Sequence, residues 1–306
     1  MILNIKKIFL LIFLTNLFHF SQAQIFYPIW SEGNMPNSKG MNLEDSVSNE
    51  RLMQVGTPGL RAFFTSIQEN KRVAVLIIPG GGYHHLSYNI SGDQLAKWFN
   101  TIGINAFVLN HRLPISPDLV QPEIAPLQDA QRAIQFIRSN AEEWNIDVDK
   151  IGVMGCSAGG HLAASLGTIE QNYASIENGN LTNSFQPNFM ILISAVIDMG
   201  EYAHKGSRTN LLGDAPREAL LKQFSLQNQV NENTPPAFVC HAFDDNVVPA
   251  YNSILFYEAL LKNQIASTLH IFPFGKHAIA LRNNPGSTNL WTALCEEWLI
   301  EMKFLN

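Results

Sequence analysis

The chain has 306 residues, 46% hydrophobic and 15% charged, which is material for a sizeable core and excludes a disordered or fibrous polypeptide. Twenty basic against 26 acidic residues give a formal net charge of −6, and no basic run exceeds Lys71-Arg72, so nothing marks a nucleic-acid partner. Three cysteines, Cys156, Cys240 and Cys295, allow at most one disulfide and lack metal-ligand spacing, so buried thiols and no metal are expected.

Residues 1–23 read as a secretory signal: Lys6-Lys7, the apolar run Ile8 to Phe20, then Ser21-Gln-Ala23 before a cut after Ala23. The run is shorter than the roughly 20 residues a spanning helix needs, so no membrane span is expected once it is removed, and the protein is placed in the periplasm or outside the cell. Residues 24–50 are polar and show neither helical nor strand period, which predicts an extended arm over the domain that follows, 51–306.

From Val73 onward short apolar runs alternate with amphipathic segments, the pattern of an α/β fold with a mostly parallel central sheet and helices on both faces. Strands are predicted at Val73 to Ile78, Ile104 to Leu109, Ile151 to Met154, Phe189 to Ala195, Ala237 to Ala242 and Thr268 to Phe272. Helices are predicted at Gly92 to Ile102 (capped by Ser91 and stopped by Gly103), Leu127 to Trp144, Gly160 to Ile169, Ala250 to Lys262 and Asn289 to Met302. Gln171 to Asn188 reads as a surface loop and Met199 to Glu232 as a cap-like excursion.

The central chemical signal is Ile151-Gly-Val-Met-Gly155-Cys-Ser157-Ala-Gly159-Gly160, an apolar strand running through GxSxG into a small-residue helix. A bare GxSxG is common by chance. In this context it reads as a nucleophile elbow, which thrusts a serine hydroxyl out on a sharp turn toward a base. Attack on a carbonyl creates an oxyanion, and the glycine loop Pro79-Gly-Gly-Gly-Tyr83 after the first core strand supplies donors: the N–H of Gly81 or Gly82, together with that of Ala158.

Base and acid follow in the order Ser, Asp, His, each after a later strand. His277, in Pro273-Phe-Gly-Lys-His277, is the general base, and Asp245, in Phe243-Asp-Asp245-Asn-Val-Val-Pro249, orients it. Asp245 is preferred over its neighbour Asp244 because the D-x-x-V-P pattern starts there, and Asp198 ranks third.

His84, His85, His161 and His241 flank the site without metal-binding spacing and read as satisfied loop or strand histidines. Trp98, Trp144, Trp291 and Trp298 read as helical residues packed on the sheet. Tyr83, Tyr202 and His204 are the candidates for contact with a bound sugar or acyl group.

These stretches resemble the α/β-hydrolase superfamily and, within it, the secreted bacterial esterases of the acetyl xylan esterase and BD-FAE group. The likeness extends to Asp129-Ala-Gln-Arg-Ala, Ala141-Glu-Glu-Trp-Asn-Ile-Asp and His204-Lys-Gly-Ser-Arg-Thr-Asn-Leu-Leu-Gly213, and so covers about residue 50 to 300. It implies an α/β-hydrolase catalytic domain over 51–306 and a cofactor-free Ser-Asp-His esterase that removes acetyl groups from polysaccharides such as xylan. One departure is Lys276 and Ala278 beside His277, where the group usually carries glycines; this bears on substrate preference. A serine peptidase or amidase, a general short-chain carboxylesterase or lipase, and a non-catalytic binding protein are the alternatives on the same fold. The polar excursion Met199 to Glu232 lacks the long apolar lid of a lipase, and both Ser157 and His277 are present.

Overall fold

Strands covered on both faces need unbroken apolar runs, and the centre of this chain supplies them. In the computed structural model, residues 25–31, 33–174, 183–277 and 279–306 are described; the secretory signal expected over 1–23, part of the loop expected over Gln171 to Asn188, and Ala278 lie outside them. The strands are β1 (Ile25–Pro28), β2 (Ser46–Ser48), β3 (Arg51–Gln54), β4 (Gly59–Phe63), β5 (Val73–Ile78), β6 (Ile104–Asn110), β7 (Ile151–Cys156), β8 (Met190–Ile193), β9 (Ala237–Ala242) and β10 (Thr268–Phe272). Every residue of β5, β6, β8 and β9 is buried.

Eight strands form one sheet in the order β1-β4-β6-β5-β7-β8-β9-β10, and β2 pairs with β3 as a separate hairpin. Strands β5 to β10 are mutually parallel, with Leu76 opposite Phe107 on one side and Val153 on the other, while β4 and β1 extend the edge antiparallel. The chain adds β6 on one side of β5 and β7 on the other, which opens a crevice at their carboxyl ends.

Helices α1 (Gln94–Thr101), α2 (Ala125–Ser139), α3 (Ala158–Thr168), α4 (Lys205–Leu212), α5 (Glu218–Phe224), α6 (Tyr251–Lys262) and α7 (Trp291–Glu301) complete the fold. On one face α1 and α7 pack Phe99, Trp291 and Trp298 against Val75, Ile77 and Phe238; on the other α2, α3 and α6 pack Ile134, Leu162 and Phe256 against Leu76, Val153 and Val239. The two faces follow from alternation along each strand, where Val75 and Ile77 point one way and Leu76 the other.

Several expectations shift. Ser91 does not cap α1: its hydroxyl donates to the Ser87 carbonyl and accepts from the Gly80 N–H, and one π-type turn, Asn89–Asp93, precedes the helix. Helix α2 stops at Ser139, and Trp144 sits past its end, stacked on Phe107 with ring centroids 5.0 Å apart. The polar stretch 24–50 contributes edge strand β1 and the hairpin strand β2, whose mostly exposed side chains hid any alternation. The rest is tied down through polar contacts: the buried Asp129 receives the Trp30 indole N–H at 2.7 Å and pairs with Arg112, whose guanidinium also reaches the Pro36 carbonyl at 2.6 Å.

Candidate active site

The turn from β7 into α3 is too tight for side chains on its flanks. A Cβ on Gly155 would overlap the Gly159 carbonyl oxygen, one on Gly159 the Ile78 carbonyl, and one on Gly160 the Ala195 side chain. Ser157 itself holds φ 55° and ψ −124°, a strained conformation for a residue with a Cβ, fixed by hydrogen bonds from its N–H to Ile193 and to its carbonyl from Val196, both at 3.1 Å. The strain carries the hydroxyl out of the sheet into the crevice.

The Ser157 hydroxyl lies 2.9 Å from His277 Nε2, and His277 Nδ1 lies 2.7 Å from Asp245 Oδ2. Asp245 is buried and heavily solvated by protein: Oδ1 accepts the N–H groups of Val247 and Val248 at 2.9 Å, and Oδ2 also faces His241 Nε2 at 3.1 Å. Burial alone would raise its pKa, but the hydrogen bonds from His241, His277 and Val248, with the field of His277, outweigh it and hold the carboxyl far below the usual range. An ionised Asp245 keeps the His277 proton on Nδ1 and leaves Nε2 to accept from serine.

His241 lies in β9 and is expected to be a satisfied histidine. Satisfied it is, with Nδ1 on the Ser253 hydroxyl at 2.8 Å and Nε2 also on the Val248 carbonyl at 2.9 Å, but it is also the second donor to Asp245. Its place in β9, four residues before Asp245, was the signal available. Asp244 turns away from His277 and instead accepts from the N–H groups of Gly275 and Lys276. Asp198 lies apart, taking the Tyr202 N–H and the Gln227 amide.

Opposite the serine, the loop after β5 brings Gly80 so close that an added Cβ would stand 3.3 Å from Ser157 Cβ. Gly81 and Gly82 have φ 142° and 64°, a backbone that glycine alone adopts without strain. Among the described residues the N–H groups of Gly81, Gly82 and Ala158 meet no protein acceptor, which leaves them free for an incoming negative oxygen.

The crevice holds a cavity of about 530 Å³ containing Ser157 and His277. One side is apolar, with Leu95, Met154, Ile193, Ile279, Leu281 and Trp291; His204 stands on its wall. The Ser207 N–H donates to His204 Nδ1, so that ring carries its proton on Nε2, which meets no acceptor among the described residues. Burial, with the field of His277, lowers its pKa and keeps it neutral. Cys156 also lines the cavity, its thiol pushed up to about 12 by burial and so kept un-ionised.

Tyr83 and Tyr202 do not line this cavity. Tyr83 is buried, donating its hydroxyl to His161 Nδ1 at 2.8 Å, while His161 donates from Nε2 to the Phe224 carbonyl at 2.8 Å. Tyr202 stacks on Tyr251, ring centroids 4.8 Å apart.

Known proteins share this architecture. Residues 62–260 match the BD-FAE family model. Endo-1,4-beta-xylanase B of Butyrivibrio fibrisolvens is 38% identical over 74% of this chain and 35% of its own length. The acetylxylan esterase of Xylanibacter ruminicola is 36% identical over 78% of this chain and 47% of its own. The chain thus spans between a third and a half of these two curated relatives. Among solved structures, an acetyl ester-xyloside bifunctional hydrolase from Caldicellulosiruptor lactoaceticus superposes with a TM-score of 0.80 at 34% identity, over 92% of this chain and 98% of that one. The match of the family model to most of the chain, on a mostly parallel eight-stranded sheet, places the protein in the BD-FAE family of α/β-hydrolases.

Proposed function

We propose that the protein is a serine ester hydrolase that removes short acyl groups, acetyl above all, from a polysaccharide such as xylan. The observation that carries this reading is His277 bridging the Ser157 hydroxyl and the Asp245 carboxylate, opposite three backbone N–H groups that meet no acceptor among the described residues. Ser157 Oγ attacks the ester carbonyl carbon and gives its proton to His277 Nε2. The oxyanion is received by the N–H of Gly81 or Gly82 and that of Ala158. As the C–O bond to the sugar breaks, His277 returns the proton to the departing alcohol. Water then attacks the acyl-serine along the reverse path, and the free acid leaves.

His204 Nε2–H is a donor on the cavity wall suited to a sugar hydroxyl or ester oxygen. The similarity to xylan-acting proteins supports the polysaccharide, and the Lys6-Lys7 pair followed by the apolar run Ile8 to Phe20 supports export. No helix among the described residues is long and apolar enough to cross a membrane. A general short-chain carboxylesterase is the second reading, favoured by a cavity larger and more apolar than acetyl requires.

The test is acetate release from acetylated xylan by the mature protein and its Ser157→Ala variant, with p-nitrophenyl acetate and butyrate alongside. Acetate release that disappears in the variant supports the polysaccharide esterase. Cleavage of the small esters alone moves the assignment to the second reading, and cleavage of aminoacyl-nitroanilides without esters overturns both.

A further inference from the structure

The cavity is one-sided in charge. Among the described residues its ionisable lining side chains that bear nitrogen are Arg51, His85, His204 and His277, and no Asp or Glu lines it, in a chain whose formal net charge is −6. His277 belongs to the catalytic set and His204 is held neutral, so Arg51 is the fixed positive charge.

Arg51 reaches the mouth through a specific piece of backbone. Leu52 and Leu86 form an isolated antiparallel bridge, each N–H donating to the other's carbonyl at 3.0 and 2.9 Å, which docks the β2-β3 hairpin on the loop after β5. Leu52 and Leu86 are both buried, together with Val55 and Leu113. Strand alternation then turns Arg51 to the opposite side, and antiparallel pairing sets it across from Ser87; both residues line the cavity. The side chain is exposed and takes part in none of the ion pairs of the described residues. The half-buried His85 lies close enough to feel its charge.

We infer that the substrate carries a carboxylate near its scissile ester, and that Arg51 receives this carboxylate at the cavity mouth beside His85. The inference rests on ester hydrolysis at Ser157 and narrows its substrate. An unpaired guanidinium at the edge of a low-dielectric pocket offers two donors to a carboxylate and nothing of equal value to a neutral chain. The carboxylate has two sources: an acidic sugar next to the acylated one, or the acyl group itself, as in the half-ester of a dicarboxylic acid.

Two arms separate the sources. The first compares acetylated xylo-oligosaccharides with and without a uronic-acid branch; the second compares p-nitrophenyl hemisuccinate with p-nitrophenyl butyrate, which is similar in length. In one arm the charged ester is preferred about fivefold in kcat/KM, mainly through KM, and the preference shrinks in 0.5 M salt. Arg51→Gln brings that ratio to about one and Arg51→Lys keeps part of it, as a charge contact requires and a merely structural residue does not. A wild-type ratio of one or less in both arms, or a ratio unchanged in Arg51→Gln, overturns the inference while hydrolysis of the neutral esters keeps the esterase reading. Absence of hydrolysis of every ester overturns both.

Discussion

Asp244 accepts the backbone N–H of Lys276 at 2.7 Å, and that of Gly275 at 2.8 Å, so the carboxylate beside Asp245 grips the loop that presents His277. Lys276 sits at φ 52°, an unfavourable backbone for a lysine that these bonds help to hold, and the Thr288 hydroxyl ties the same loop at the Phe274 carbonyl. The two neighbouring aspartates thus divide the work: one orients the imidazole and the other positions its loop.

Replacing Asp244 by Ala therefore loosens the base without touching it. The expected outcome is a fall of about tenfold in kcat for p-nitrophenyl acetate with little change in KM, because a displaced base slows the chemical step more than binding. Asp244→Asn keeps an acceptor oxygen and recovers most of the rate. Equal losses in both variants would contradict the positioning role.

Asp245→Asn should cost far more. The amide can no longer hold the proton on His277 Nδ1, and a loss of about 10³ to 10⁴ in kcat is expected, with folding judged by an unchanged circular dichroism spectrum. Residual activity within about tenfold of wild type would place the orienting acid elsewhere.

His161 predicts a pH dependence of stability. Burial pushes its pKa down to about 4, against 6.5 for the free side chain. Between those values the unfolded chain binds more protons than the folded one, so the contribution of this residue is complete above about pH 6.5 and is lost as pH falls toward 4. At full extent the loss is about 3 kcal/mol. Denaturant melts at pH 7 and pH 4.5 should show a smaller drop for His161→Gln than for wild type, with His111, also lowered by burial, accounting for part of what remains. An identical drop in both proteins would refute the assignment.

Asp129 predicts a large loss of stability remote from the chemistry. It is fully buried, holds Arg112 in a 2.8 Å ion pair and receives the Trp30 indole. Asp129→Ala leaves a buried guanidinium without its partner, and about 3 to 5 kcal/mol of destabilisation is expected in urea melts. A loss below about 1 kcal/mol would show that water or a rearranged arm replaces the carboxylate.

The parallel strands and their helices were legible because burial on both faces writes itself as continuous Val, Ile, Leu and Phe runs, such as Val73 to Ile78. The Ser157 turn was legible because steric crowding admits only glycine at 155, 159 and 160. Strands β1 to β4 were not legible: they are short, and β1 and β2 leave most side chains in solvent, so their pairing is set by neighbours distant in sequence. The fate of Tyr83 was equally hidden, since its partner His161 is brought to it only by the tertiary fold, and His241 showed no more than its four-residue spacing from Asp245.

The bridge between Leu52 and Leu86 has a consequence for how this site can change. The proposed catalytic residues Ser157, Asp245 and His277 stand past the carboxyl ends of β7, β9 and β10, where glycine crowding and the hydrogen bonds that join them tolerate little substitution. The hairpin that shapes the mouth is outside the main sheet and meets the loop after β5 through one bridge. Its outward positions can therefore vary, or the whole hairpin be exchanged between related enzymes, while the machinery behind it stays in register.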